Sequence, residues 1–342
     1  MSARPTVLVV ARMITDGFMR DDLRYLAAFS NPVTLEFARA PASGRVARIL
    51  WAYTSFVRLL RRSRARVVVF WFASSTYTPG MSLLARLLGA RVIVITGGID
   101  AVYVSSIDWG ALRSPWSRFA FGLSMRLADV VLPFSTAALE TLKSYARPHR
   151  ARVLFPAIDT ELFRETLLPR VSRVVTCCYE YDANNIVQKG LDVFVAAARL
   201  LPDVPFVLVG DAGDEAARRF AAAAPRNVEL RPRIANREEY AAFLATSAVY
   251  AQLSAHEGFG VSVAEAMAAG AIPVVSDRYS LPEVVHDAGY VVPYGDARAA
   301  ADAVQRARSA DEGARLRARA RAMQFVAAKR QSGLEEEVRR LL

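Results

Sequence analysis

Two glutamates, Glu257 and Glu265, flank a short glycine-containing turn in the second half of the chain. The turn, 258–260, follows the apolar run 249–253 and leads into an alanine-rich segment. This pattern predicts a strand, a loop and a helix, with one carboxylate in the loop and the other on the helix. In parallel α/β sheets such a joint lies at the carboxyl ends of the strands, where ligands bind beside helix N-termini.

The residue types around these carboxylates are typical of a phosphate site. Gly258, Phe259 and Gly260 allow backbone N–H groups to turn toward a ligand, and the following helix adds the positive end of its dipole. Lys189 precedes a glycine at another expected helix start, and the chain has only three lysines. Carboxylates on both sides of a phosphate match a nucleotide-sugar, which carries hydroxyl groups on both sides of its diphosphate. A glycosidase pair would instead face a single bond.

Strand-like apolar runs alternate with helix-like segments along the whole chain, which predicts parallel sheets covered by helices on both faces. The pattern starts with a strand at 7–10, ends its first half with a strand at 153–155 and restarts at 174. It therefore predicts two doubly wound domains. We expect a first domain at 1–160, a linker at 161–171, a second domain at 172–315, and C-terminal helices at 316–342 that can cross back to the first domain.

Several function classes lack their sequence signals. The turn after the first strand holds one glycine, Gly17, where a nicotinamide or flavin enzyme has G-x-G-x-x-G. There is no D-x-D pair and no nucleophile-elbow serine or cysteine. The three histidines, His149, His256 and His286, do not have zinc-ligand spacing. We expect no metal and no cofactor beyond a nucleotide-sugar co-substrate, with Gly17 among the donor-binding candidates.

The net charge of +11 lies in the first half, because residues 1–170 carry +12 and residues 171–342 carry −1. A basic half indicates contact with something anionic. The segment 45–66 predicts a basic amphipathic helix, which can lie on an anionic bilayer. A surface helix with its apolar face in the core is an equally good interpretation. Nucleic acid is not an expected partner, since aromatics are not interleaved with the basic runs.

The cysteines indicate a reducing compartment. Cys177 and Cys178 are adjacent and cannot form a disulfide framework. The sequence begins without a signal-peptide pattern, and no apolar run approaches the ~20 residues of a membrane span. We expect a cytoplasmic protein, with a peripheral position on the inner face of the cell membrane as the extension of that hypothesis.

The segment 254–270 resembles the E-x7-E signature of the family 4 retaining glycosyltransferases, which use nucleotide-sugars and have the GT-B fold. Further segments agree in order: 156–159 with Phe163, 188–192, 210–211 and 282–285. The resemblance covers residues 150–300, and in the first half it rests on topology alone. It implies two Rossmann-like domains facing each other across a cleft, with the acceptor on the first and the donor on the second.

The resemblance also implies roles for the candidate residues. Glu265 would hold the ribose hydroxyls of the donor. Glu257 and the amides of Phe259 and Gly260 would contact the transferred sugar and its phosphate. Lys189 would neutralise the departing diphosphate, which is the main electrostatic task of a metal-free transfer. The anomeric configuration would be retained by front-face attack assisted by the leaving phosphate.

The resemblance implies a place for one further segment, and the sequence departs from the family's pattern at two others. Arg231 and Ile234 bound a segment that would lie near the base. Segment 177–180 contains no arginine where many family members pair one with the lysine. Segment 97–100 occupies the place of a common histidine, and there Asp100 is a catalytic candidate, with a turn or capping role as the equal alternative.

The leading hypothesis is therefore a retaining, metal-independent glycosyltransferase that moves a hexosyl or related sugar to a lipid-linked or cell-surface glycan. A nucleotide-sugar epimerase on the same fold is one alternative. A catalytically inactive protein that binds a nucleotide-sugar or glycan is another. The donor base, the sugar, the acceptor and the linkage are left open.

Overall fold

The computed structural model describes residues 4–14, 17–41, 44–164 and 170–342. The chain divides into two compact units. The first unit comprises Met1–Tyr103, Asp108–Ala157 and Ala327–Leu342, and the second comprises Val104–Ile107 and Ile158–Val326. The C-terminal helix therefore belongs to the first unit. Each unit contains one parallel sheet, which confirms the prediction of two α/β domains.

The first unit is built on a five-stranded parallel sheet of order β2-β1-β3-β4-β5. Its strands are β1 (Thr6–Ala11), β2 (Asn31–Glu36), β3 (Val67–Trp71), β4 (Arg91–Thr96) and β5 (Val130–Pro133). Its helices are α1 (Phe18–Phe29), α2 (Arg45–Ser63), α3 (Thr78–Leu87), α4 (Pro115–Leu127), α5 (Thr136–Tyr145) and, from the C-terminus, α14 (Ala327–Leu341). Helix α2 confirms the helix predicted for 45–66.

Helices pack on both faces of this sheet. The side chains Phe56 of α2, Met81 of α3 and Phe121 of α4 belong to one buried cluster with Phe70 of β3. Successive residues of a strand point to opposite faces, so Trp71 faces the other side. There α1 packs against α14. The helices α2, α3 and α4 therefore form one layer.

An ion pair anchors α14 to the first unit. Arg330 donates from Nε to Oδ1 of Asp22 in α1 at 2.9 Å, and from Nη2 to Oδ2 at 2.7 Å. The guanidinium also donates to the carbonyl of Leu154 and lies 5.9 Å from the ring centre of Trp71. Both charged side chains are almost fully buried. A bidentate pair of this kind fixes orientation as well as distance.

The second unit is built on a six-stranded parallel sheet of order β11-β10-β9-β6-β7-β8. Its strands are β6 (Val171–Tyr181), β7 (Phe206–Ala212), β8 (Val228–Arg231), β9 (Ser247–Gln252), β10 (Ile272–Ser276) and β11 (Tyr290–Val292). Its helices are α6 (Ala183–Gln188), α7 (Leu191–Leu200), α8 (Glu215–Ala222), α9 (Arg237–Ala245), α10 (Val261–Ala268), α11 (Leu281–Val285), α12 (Ala297–Arg308) and α13 (Glu312–Ala322).

One strand prediction is wrong. Residues 153–155 adopt no strand, although the backbone N–H of Leu154 donates to Pro133 at 2.9 Å. Pairing is limited to an isolated bridge between Ala151 and Val131. The run of three apolar residues is short, and Pro156, which follows it, has no N–H to extend a ladder.

Candidate active site

The predicted strand–loop–helix joint forms at the carboxyl ends of the strands of the second sheet. The loop from 253 to 260 connects the carboxyl end of β9 to α10. A second turn, 188–190, joins α6 to α7 and touches this loop. Gly190 has a φ of +64°, and a β-carbon there would lie 2.0 Å from the carbonyl oxygen of Leu253. Only glycine permits both this backbone conformation and this approach.

Hydrogen bonds join the two segments. The backbone N–H of Ala255 donates to the carbonyl of Gln188 at 2.8 Å. The side-chain amide of Gln188 donates back to the carbonyl of His256 at 2.6 Å. Gln188 is buried, so both contacts are shielded from water. The adjacent residue Lys189 is therefore held at a fixed position relative to the loop.

Lys189 and Glu257 form an ion pair, which the structure brings together from positions 68 residues apart. The distance from Lys189 Nζ to Glu257 Oε1 is 2.8 Å. The hydroxyl of Ser254 donates to the same oxygen at 2.9 Å, and the amide of Gln252 lies 3.2 Å from it. Oε1 therefore has three donors. Within the described chain, Oε2 of Glu257 has no hydrogen-bond partner in the protein, so it can accept one from a ligand hydroxyl.

The predicted phosphate turn begins α10. Gly260 is the residue before the helix and has a φ of +97°. No side chain caps the first turn of this helix. Ser280 Oγ lies 2.7 Å from the carbonyl oxygen of Glu257 and 3.0 Å from that of Phe259, which ties the turn to the segment before α11. The ring of Phe259 is buried, while Gly258 is partly exposed. The turn thus leaves a helix N-terminus for an anion.

The second glutamate lies on α10, as predicted. Glu265 is 7% exposed. Its Oε1 is 3.8 Å from Nη2 of Arg237, at the start of α9. Glu265 therefore lies on the helix that follows the turn, with a cation as its neighbour. Whether it binds ribose stays a prediction.

Neither the histidine of this loop nor the two thiols of β6 are suited to catalysis. Burial lowers the pKa of His256 to about 4, so its imidazole is neutral near pH 7. The ring packs edge-on against Tyr279 at 4.3 Å. Burial raises the pKa of Cys178 to about 11 and that of Cys177 still further. Both thiols therefore stay protonated and are poor nucleophiles.

The predicted base-side segment follows β8. The guanidinium of Arg231 pairs with Glu229 and lies 5.4 Å from the ring centre of Phe243. Ile234 lies in the loop beyond and is partly exposed. Between them, the guanidinium of Arg233 stacks 4.2 Å from the ring centre of Tyr179, a residue of β6. An arginine from the loop after β8 thus reaches β6, although segment 177–180 contains none.

Asp100, the catalytic candidate of the first unit, is 4% exposed. Its carboxylate accepts hydrogen bonds from the hydroxyl of Thr96 and from the backbone N–H groups of Ala73 (2.9 Å) and Gly98 (3.0 Å). Burial raises its pKa, and these hydrogen bonds oppose that rise. The contacts organise the loop after β4. Its catalytic role stays a prediction.

Gly17 lies immediately before α1 in the first unit, with a φ of +85°. Its carbonyl accepts the backbone N–H of Asp21 at 3.0 Å. Its positive φ is a backbone conformation that glycine adopts readily, and it precedes α1 without a side-chain cap. Donor binding by Gly17 stays a prediction.

The sequence interpretation missed the residues that orient Glu257. Gln252 and Ser254 are buried beside it, and Gln188 and Ser280 fix the two turns. The sequence feature that could have revealed them is a polar residue within a segment expected to be buried, because a buried polar side chain needs a specific hydrogen-bond partner. Gln252 is the clearest case because it follows the mostly apolar run 248–251 of β9.

The described residues contain no group of three or more His, Cys, Asp or Glu side chains placed to hold a metal ion. No helix in the described ranges has both the length and the apolar character needed to cross a bilayer.

Comparison with protein families identifies the second unit. Residues 174–309 match the family model described as Glycosyl transferases group 1. The matched segment includes the loop 253–260, the turn 188–190 and Glu265. The second unit therefore carries a domain of this family.

Curated relatives are mannosyltransferases. A phosphatidyl-myo-inositol mannosyltransferase of Mycobacterium leprae is 30% identical over 142 residues, 40% of this chain and 37% of that protein. A GDP-mannose:cellobiosyl-diphosphopolyprenol alpha-mannosyltransferase of Xanthomonas oryzae pv. oryzae is 26% identical, over 66% of this chain and 60% of that protein. Its counterpart in Xanthomonas campestris is 29% identical, over 68% of each. The match thus spans less than two thirds of the first two relatives.

Solved structures show the fold. Sucrose-phosphate synthase from Thermosynechococcus elongatus has a TM-score of 0.82 at 16% identity, covering 99% of both chains. HepE of Anabaena in complex with UDP and glucose has a TM-score of 0.74 at 15% identity, covering 98% of this chain and 99% of that one. The architecture is that of the GT-B glycosyltransferases.

Proposed function

We propose that this chain, whose second unit carries a group 1 glycosyl transferase domain, is a retaining and metal-independent glycosyltransferase acting on a nucleotide-diphosphate sugar. The observation that carries the proposal is the Glu257 carboxylate. Its Oε1 is held by Lys189, Ser254 and Gln252, while Oε2 has no partner in the described protein. A carboxylate fixed through one oxygen presents the other to a sugar hydroxyl.

Lys189 has two electrostatic roles in this proposal. Without donor it pairs with Glu257, at 2.8 Å. With donor bound, the diphosphate beside the N-terminus of α10 competes for the ammonium group. Negative charge grows on the diphosphate as the bond to the sugar breaks, so a cation fixed there stabilises the transition state more than the ground state. The neutral imidazole of His256 adds no charge to this task.

Glu265 serves the nucleoside side of the donor. It lies five residues along the chain from Gly260, about one and a half turns into α10, with its carboxylate buried near Arg237. A buried carboxylate that accepts two ribose hydroxyls discriminates strongly against a ligand that lacks them. Replacing Glu265 with alanine is expected to weaken nucleotide-sugar binding by roughly tenfold or more in a folded protein.

The acceptor is proposed to be lipid-linked, which requires the enzyme to reach a membrane. The helix layer α2, α3 and α4 of the first unit exposes apolar side chains in stripes, and together we call them the α2–α4 surface. These are Val46, Leu50, Leu83, Leu87, Trp116, Phe119 and Leu123. An exposed apolar area of this kind marks an interaction site. Arg58, Arg61 and Arg62 of α2 lie beside it and supply attraction for anionic lipids.

The aromatic pair on α4 gives the sharpest test of membrane contact. Trp116 and Phe119 are 65% and 62% exposed, with ring centres 5.8 Å apart. We expect W116A/F119A to lose sedimentation with vesicles of phosphatidylglycerol and phosphatidylcholine. The control L316A/M323A removes two apolar side chains of the second unit that are 54% and 49% exposed. Unchanged sedimentation of W116A/F119A would remove this surface from the proposal.

A panel of nucleotide-sugars tests the activity itself. GDP-mannose comes first because two curated relatives are named for it. Each donor is incubated with the protein, with and without bacterial lipid extract, and free nucleotide is measured. Lipid-dependent release supports the transferase. Tight binding without release for every donor indicates a binding protein, and conversion of the donor to its epimer indicates an epimerase.

A further inference from the structure

A cavity of 460 Å³ lies in the first unit, at the carboxyl edge of its sheet. It is separate from the residues assigned to the donor. Its walls come from the segments that follow three neighbouring strands and from the first turn of α2. The lining residues are Arg12, Phe37, Ala38, Gly44, Arg45, Arg48, Ser74 and Tyr77. Ligands of α/β domains bind at this edge, and the volume is that of a small-molecule site.

Three guanidinium groups line this cavity. Arg12 follows β1, and Arg45 and Arg48 belong to the first turn of α2. Across the described ranges, no carboxylate lies within ion-pair distance of any of the three. Glu36, the last residue of β2, is already engaged by the guanidinium of Arg39 at 3.0 Å and the N–H of Ile14 at 2.9 Å.

Placing these cations together carries an electrostatic cost. The first turn of α2 contains no acidic residue. The positive end of a helix dipole disfavours cations, which are usually found near helix C-termini. Arg45 and Arg48 therefore lie at the unfavourable end of α2. Arg12 adds a like charge from another segment. An anion in the cavity offsets this repulsion and can accept bidentate hydrogen bonds from the guanidinium groups.

Two aromatic rings also line the cavity and are held in place. The rings of Phe37 and Tyr77 lie 4.3 Å apart. The loop that carries Tyr77 is fixed by Tyr53, whose hydroxyl donates to the carbonyl of Thr76 at 3.1 Å. Aromatic rings and guanidinium groups lining one cavity suit a phosphate ester, with the organic part packed on the rings and the phosphate on the arginines.

We propose that this cavity binds the phosphate or diphosphate group of the acceptor. The identification of the ligand as the acceptor rests on the proposed function. The anion site itself is inferred from the residues of the cavity alone. Two sources carry this chemistry: a diphosphate lipid and a soluble sugar phosphate. Both place a phosphate monoester or diphosphate next to an organic group.

The test is calorimetric binding to the full-length chain of three probes: farnesyl diphosphate, glucose 1-phosphate and uncharged octyl glucoside. Saturating GDP and UDP occupy the nucleotide site during the titration, because that site also binds diphosphates. We expect a phosphate-bearing probe to bind and octyl glucoside not to bind. Tighter binding of farnesyl diphosphate indicates a lipid source, and tighter binding of glucose 1-phosphate indicates a soluble one.

Variants locate the binding. R45A/R48A is expected to weaken binding of the phosphate probe by roughly ten- to a hundredfold while leaving nucleotide binding unchanged. R91A/R147A removes two exposed arginines of the first unit that do not line the cavity, and it is expected to change neither. K189A is expected to affect only nucleotide binding. R12Q changes a cavity arginine outside α2 and should also weaken binding of the probe. It therefore shows whether the effect of R45A/R48A comes from the lost charges or from a disturbed helix.

The proposal is overturned if R45A/R48A and R12Q bind the phosphate probes as the parent does. It is also overturned if K189A, and not R45A/R48A, abolishes their binding, because the probes would then occupy the donor site. Failure of the transferase itself has a different signature. In that case no donor releases nucleotide, while phosphate binding still depends on Arg45 and Arg48.

Discussion

Replacing Lys189 with alanine separates a catalytic ion pair from a structural one. The side chains of Lys189 and Glu257 are 29% and 14% exposed, so the pair is partly buried. Loss of one partner from a fully buried pair costs about 3–5 kcal/mol, and loss of an exposed pair costs about 0–1 kcal/mol. In K189A, Oε1 of Glu257 still accepts from Ser254 and Gln252. The carboxylate stays hydrogen-bonded, so we expect the free energy of unfolding to fall by only about 1 kcal/mol.

The effect on sugar transfer is expected to be much larger. Loss of one group that stabilises developing charge typically lowers a rate by about 10²–10³. Lys189 is placed to face the departing diphosphate, so K189A should lower nucleotide release at saturating donor by that factor. Urea unfolding and a nucleotide-release assay on the same preparation give the two numbers.

The control is K143A, which removes an exposed lysine paired with Glu140 in the first unit. It should change neither stability nor release measurably. Two results would refute the assignment of Lys189. One is a K189A protein that releases nucleotide at the parental rate. The other is a loss of about 3 kcal/mol or more in stability, since the pair would then be structural.

Three further outcomes are expected. D22N leaves Arg330 buried without its counterion and should lower the free energy of unfolding by about 3–5 kcal/mol, measured by urea denaturation; a milder loss would contradict the burial of that pair. G190A places a β-carbon 2.0 Å from the carbonyl of Leu253 in a left-handed backbone, so its melting temperature and nucleotide release should both fall, and parental values would show that the two turns separate. The His256 pKa is lowered from 6.5 to about 4, so the unfolded chain binds a proton that the folded chain does not over this range. Stability should therefore fall as pH drops from 6.5 toward 4, by up to about 1.4 kcal/mol per pH unit, and H256Q should flatten that slope; an NMR titration of His256 near pH 6.5 would contradict it.

Local patterns in the sequence were sufficient to predict the strand–loop–helix joint. A glycine-flanked turn between an apolar strand and an alanine-rich helix depends on residues close in the chain. The bounds of α2 followed for the same reason. Contacts between distant segments have no such local signal. The Lys189–Glu257 pair joins positions 68 residues apart, and the Arg330–Asp22 pair joins positions 308 apart.

Burial was the other property that the sequence did not reveal. Trp116, Phe119 and Leu123 recur at helical spacing, which is equally typical of a buried face, yet they are exposed. Asp100 shows the opposite case, since its carboxylate is buried and surrounded by backbone donors. Exposure depends on which elements pack against a helix or loop, and that is decided by the tertiary fold.

The most direct test of the central claim follows the sugar itself. GDP-mannose carrying ¹³C at the anomeric carbon is incubated with the protein and bacterial lipid extract, and the glycolipid product is examined by NMR. If GDP-mannose releases no nucleotide in the donor panel, the donor that does is labelled instead. We expect the label in a new glycosidic bond with the same anomeric configuration as in the donor. Label that stays in the donor for every sugar tested would contradict transfer, and an inverted configuration would contradict the retaining mechanism assigned to Glu257 and Lys189.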